Sequence, residues 1–158
     1  MARMRTPRVA TVAKAPGETP LYVREWRTHQ AMSPLVGDAP CIMNGHYSWI
    51  PSPETGYPLQ IDLFYPKIVV LGEQELPHPV ALAVEIQSIL HRGGWDRSKK
   101  AFFKTMESWA HYQRNQQAKH EALRLYRVPL LEIDPTTEDL SPEALLPRIA
   151  ALLKVKLA

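Results

Sequence analysis

The 158-residue chain has one cysteine, Cys41, and that scarcity removes whole classes of architecture. A single thiol closes no internal disulfide, and no zinc ligand set of the CxxC kind can be written around it. Long apolar runs are also missing. No stretch approaches the roughly 18 apolar residues of a membrane span, and the start, MARMRTPRVATVAKAPGETP, is basic without a long apolar core. The expected setting is cytoplasmic, with no membrane partner. Asparagine occurs only twice against fifteen prolines. That bias suits the stiff, chemically durable loops of a thermophile, although the base composition of a genome produces the same pattern. No internal repeat is visible.

What is present fits one domain. With 45% hydrophobic and 22% charged residues, the composition is that of a globular chain long enough for a sizeable core. The net charge is only +3, yet it is unevenly spread. Met1 to Gly17 holds four basic residues and no acid, and His91 to Arg127 holds nine Lys or Arg against three acids. Val128 to Ala158 reverses the balance, with five acids and three bases. Local excess of this kind is what a polyanion feels.

Residues 1–17, bracketed by prolines, read as a flexible basic arm, and 18–158 as the single folded domain. A first helix is predicted from TPLYVREWRTHQAM, with Thr19 as cap and Pro20 at its first position. CIMNGHYSWI and PLQIDLFY, separated by PSPETGYP, read as a β-hairpin. PKIVVLGEQELPHP is apolar but cut by Gly72, Pro77 and Pro79, and reads as a short extra strand or a loop. VALAVEIQ has the near-continuous apolar character of a central strand. Ser98 to Tyr126 lacks glycine and proline and carries apolar residues at helical spacing, as one helix or two. VPLLEIDP is a last strand and SPEALLPRIAALL a terminal helix capped by Ser141. The predicted class is α/β, a mixed central sheet flanked by helices.

Within VALAVEIQS an acid stands in the middle of the most strand-like run of the chain. An ionised carboxylate loses several kcal/mol of solvation there unless hydrogen bonds, a cation or a metal meet it. Glu85 and Gln87, two apart, emerge on one face of a strand while Ile86 points to the other. Asp62 sits likewise inside QIDLFY. If the two strands are neighbours, Asp62 and Glu85 converge, and Mg²⁺, which uses one or two carboxylates with carbonyl and water oxygens, is the cation such a pair suits.

An acid on one strand followed by E-x-Q on the next, in the order αβββαβ, resembles the PD-(D/E)xK nuclease superfamily. QIDLFYPK, LAVEIQ and KHEALRLYRVPLLEI are similar in layout to archaeal-type Holliday junction resolvases and very-short-patch-repair-like endonucleases. The resemblance covers roughly Leu21 to Asp134. It implies a restriction-endonuclease-like core and hydrolysis of phosphodiesters in branched or duplex DNA, with Mg²⁺, or Mn²⁺ as substitute, held by Asp62, Glu85 and the Ile86 carbonyl. Gln87 would position the attacking water, and Glu25 on the first helix would be a further acid toward the metal. The family usually has lysine where this chain has Gln87, so a cation must come from elsewhere. Lys119 is the expected source, with Lys99, Lys100 and Lys104 as alternatives. A structure-selective Holliday junction resolvase, acting as a homodimer, is the reading the resemblance favours. A mismatch- or sequence-specific nicking endonuclease and a catalytically degenerate DNA-binding scaffold are the alternatives. Trp95, Phe102, Phe103, Trp109 and Tyr112 interleave with basic residues and suit either base stacking or a core. His111 and His120 have no metal-ligand spacing and read as structural or solvated.

Overall fold

The computed structural model describes residues 8–9, 23–87 and 105–158. Five strands form one sheet in the order β1-β2-β3-β4-β5. They are β1 (Arg8–Val9), β2 (Ile42–Pro51), β3 (Pro58–Leu71), β4 (Gln74–Ile86) and β5 (Leu130–Ile133). Three helices accompany them: α1 (Val23–Val36), α2 (Met106–Leu125) and α3 (Pro142–Leu153). The first four strands pair antiparallel, and β5 joins β4 in parallel. A parallel neighbour requires a crossover, and α2 lies within it. The protein is therefore α/β, with a curled mixed sheet flanked by helices. Among the described residues no helix is long and apolar enough to cross a membrane.

The cap predicted at Ser141 is used, whereas α1 runs four residues past Met32, the last residue of the predicted helix, through Pro34 to Val36. α1 stops at Gly37, whose φ of 61° supplies the left-handed residue that terminates many helices. Ser141 caps α3 by accepting from Ala144 N at 3.3 Å, with Pro142 in the first turn. Thr105 caps α2 by accepting from Ser108 N at 3.1 Å. The predicted cap at Thr19 and the start of the long helical run at 98–104 lie outside the described residues.

Two expectations need correction. The stretch read as a short extra strand or loop instead continues β3 to Leu71 and opens β4 at Gln74, making one long hairpin. Its turn is Gly72-Glu73, with Gly72 at φ 64° as a tight two-residue turn requires. Gly72 N also donates to Leu35 O at 2.7 Å, tying the turn to the end of α1. Pro66, Pro77 and Pro79 are all exposed, and the β3–β4 register shifts between Tyr65 and Ile68 and again before Val70. Those irregularities absorb missing N–H donors that a regular ladder would not tolerate. The second correction concerns the basic arm, where Arg8–Val9 pairs with Met43 and Ile42 rather than standing free of the domain.

Two apolar clusters hold the layers together. α1 (Met32, Leu35, Val36) and α3 (Leu145, Ile149, Ala150) pack on Leu63, Tyr65, Val84, Leu131 and Ile133. α2 contributes Leu123 to a smaller cluster with Ile50, Ile61 and Ala83. Cys41 is completely buried in the larger cluster, and burial pushes its thiol up to about 12. The native protein at pH 8 is therefore expected to react with a thiol reagent at least about a thousandfold more slowly than the chain in denaturant, since reaction needs global opening. Labelling at comparable rates in the two states would show that this part of the core opens locally.

Candidate active site

The β3–β4 ladder runs through Tyr65↔Leu82, Phe64↔Ala83 and Leu63↔Val84. One step further, Asp62 stands opposite Glu85, and there the regular pairing ends. The N–H of Ile86 is met by Asp62 Oδ2 at 2.8 Å instead of by β3 backbone. Opposed side chains in such a pair have Cβ atoms about 5 Å apart, close enough that two like charges destabilise the sheet. On the far side of β4, Glu85 is in register with Glu132 of β5. The strand pattern thus lines three acids across adjacent strands.

α2 covers this row. Its buried positions are Lys119 and Leu123, one turn apart. Leu123 enters the apolar cluster, and Lys119 places Nζ 2.5 Å from Glu85 Oε1. Side-chain exposure is only 8% for Lys119 and 5% for Glu85, so this is an ion pair withdrawn from water. The next residue, His120, reaches Glu132 Oε1 with Nε2 at 2.9 Å on the exposed side.

Burial, followed by the charge of Asp62, holds the Glu85 carboxyl well above its ordinary range, and Lys119 works against both. The two carboxyl groups are near enough for a side-chain hydrogen bond between them. Asp62 is held by N–H donors: Ile86 N on Oδ2, and Gln60 Nε2 on Oδ1 at 3.2 Å. Gln60 Nε2 also donates to Asn44 Oδ1 at 2.7 Å.

Two other residues lie in this field. Glu25, half-buried in the first turn of α1, is raised chiefly by burial and further by Asp62. Tyr112 of α2 is pushed up to about 12 by burial, with Glu85, Asp62 and Glu132 adding to it, and its ring stacks on Trp109 at 5.7 Å.

Of the residues singled out in the sequence, Asp62, Glu85, Ile86 and Lys119 meet at one place, with Glu25 close to Asp62. Gln87 is half-buried beyond Glu85, anchored by its own N–H to Ile133 O at 2.7 Å. Lys99, Lys100, Lys104, Trp95, Phe102 and Phe103 lie outside the described residues. His111 does not join the site. It binds Glu54 and Asn115, and with Arg114 it fastens the β2–β3 loop to α2. Asn44 and Gln60 are the residues that sequence reasoning missed, while Tyr112, read as a stacking or core aromatic, lies in the field of the acids. Period-two spacing puts Gln60 beside Asp62, and the Asn44-Gly45 pair is the signal for an irregular strand at Asn44.

Among the described residues no group of three or more His, Cys, Asp or Glu side chains is placed to hold a metal ion. The available donors are two carboxylates and a carbonyl. Within a strand the N–H and C=O of one residue face the same edge, so the Ile86 carbonyl is directed to the side on which its N–H meets Asp62. Comparison with protein-family models, curated proteins and solved structures yields no significant match to this chain.

Proposed function

We propose that the protein is a metal-dependent DNA endonuclease with a restriction-endonuclease-like core, acting on four-way junctions as a Holliday junction resolvase. One observation carries the reading: the β3–β4 ladder stops where Asp62 faces Glu85, and Lys119 of α2 reaches the same carboxylate. A structural role for two acids in that position is costly, because each raises the charge burden on the other. Lys119, in contact with Glu85, supports the reading as the cation that would take the role the neutral Gln87 cannot fill.

The donor set fits a hard divalent cation. Two adjoining carboxylates and a carbonyl match the small number of protein ligands that Mg²⁺ takes, and one ammonium leaves the pair short of positive charge when both acids are ionised. Asp62, Glu85 and the Ile86 carbonyl would hold it, with Glu25 as an outer acid. Such a cation, Mg²⁺ or Mn²⁺, supplies Lewis acidity toward a phosphodiester and makes water a stronger acid. Gln87 offers an amide that orients water, and Lys119 stabilises the negative charge that develops at phosphorus. The exposed Arg114, Arg124 and Arg127 give α2 and its end a cationic border suited to the DNA backbone. Resolution of a junction needs two opposed nicks, which a two-fold dimer with two sites delivers.

The test incubates wild type and Asp62→Ala with labelled four-way junction and linear duplex, in Mg²⁺ or chelator. Paired, metal-dependent nicks in the junction alone, lost in the variant, are expected. Nicks in linear duplex would favour a nicking endonuclease. Binding without cleavage, unchanged in the variant, would favour a non-catalytic scaffold.

A further inference from the structure

We infer that Gln60 and Asn44 are positioning residues that hold the Asp62 carboxylate in its cation-binding orientation, an inference that rests on the proposed metal site. The first observation is directional. Asp62 Oδ1 accepts from Gln60 Nε2, and the same nitrogen donates to Asn44 Oδ1, so both amide hydrogens of Gln60 are committed. Asp62 Oδ2 is fixed at its other end by Ile86 N. The carboxylate is thereby held at both oxygens, each of which keeps lone pairs free for a cation.

The second observation is in the backbone. Asn44 sits inside a ten-residue strand yet has φ 53°, the left-handed region. The β2–β3 ladder runs Met43↔Leu63 and then Gly45↔Ile61, skipping the pair Asn44 and Asp62 between them. A regular strand gains nothing from this interruption. It places the side-chain Oδ1 of Asn44 against Gln60 Nε2, and it leaves Asn44 Nδ2 buried with no partner among the described residues. An asparagine amide that forgoes one of its own bonds while anchoring a carboxylate's donor is arranged for the carboxylate.

Groups that orient metal ligands cost about 10–100-fold in metal affinity when removed. The experiment titrates Mn²⁺ by electron paramagnetic resonance into wild type, Gln60→Leu and Asn44→Gly, none of it requiring DNA or turnover. Asn44→Gly keeps a residue at ease with positive φ and deletes only the amide, so backbone strain is not introduced. Mn²⁺ dissociation constants weaker by about tenfold or more in both variants are expected, with metal-free thermal midpoints close to wild type. Equal affinities in variants and wild type would overturn the positioning role while leaving the metal site standing. Absence of Mn²⁺ binding in folded wild type would overturn both. A fall in midpoint with unchanged affinity would assign the two amides to stability alone.

Discussion

Replacing Lys119 with methionine is expected to remove cleavage and to destabilise the fold, most severely at neutral pH. Methionine matches the lysine stem, so the buried volume under α2 is retained and the charge is the main loss. Breaking a buried ion pair from one side costs about 3–5 kcal/mol when the remaining charge has no partner. Glu85 has a way out of part of that cost, because it can take up a proton. Its folded-state pKa is raised above its ordinary 4.5 by burial and by Asp62, and losing Lys119 raises it further. The native state then binds more protons than the unfolded chain above pH 4.5, so stability falls as pH rises through that window. The variant should therefore approach wild type near pH 4 and fall away from it toward pH 8 in urea denaturation. Adding Glu85→Leu should restore most of the lost stability, since an apolar pair carries no desolvation cost, while cleavage stays absent. A Lys119→Met protein as stable as wild type at pH 8 would mean that the ion pair does not hold α2 on the sheet.

The sequence made the acids legible because each interrupts a strand pattern that has no other use for a charge. Asp62 lies between Ile61 and Leu63, and Glu85 between Val84 and Ile86, all four of which are buried. The sequence leaves open whether their two strands are neighbours, because the stretch joining them reads as a short extra strand or a loop. Lys119 could be suspected but not distinguished from its neighbours, because a surface lysine and a buried one look alike on a helix of low amphipathicity; only Leu123, one turn on, marks its stripe. Asn44 was missed for a different reason. Its role depends on a left-handed backbone angle within a strand, and the Asn44-Gly45 pair that suits such an angle is embedded in a run read as regular β. The long β3–β4 hairpin was hidden by its prolines, whose cost vanishes when they stand exposed at register shifts.

Asp62→Asn should separate what the site does from what the fold needs. Cleavage is expected to fall by roughly a thousandfold or more, because a neutral amide replaces the anion opposite Glu85. Stability is expected to rise by about 1 kcal/mol, the gain typical of relieving a strained functional site. The amide oxygen can still accept from Ile86 N, so the bond that closes the ladder survives. On the other side, the new Nδ2 meets Gln60, which must reverse its amide, and Asn44 must reverse with it. That double reversal turns the unpartnered Asn44 Nδ2 toward Gln60 Oε1, so a buried donor gains an acceptor. Glu85, freed from the charge of Asp62, loses a cause that raises it and ionises more readily against Lys119. The decline of stability above pH 4.5 should accordingly be shallower in Asp62→Asn than in wild type, because the native state holds its extra proton over a narrower window. Denaturation midpoints at pH 5 and pH 8 read both effects. A variant less stable than wild type at both would show that the carboxylate serves the fold, and that two acids meet here for packing rather than for chemistry.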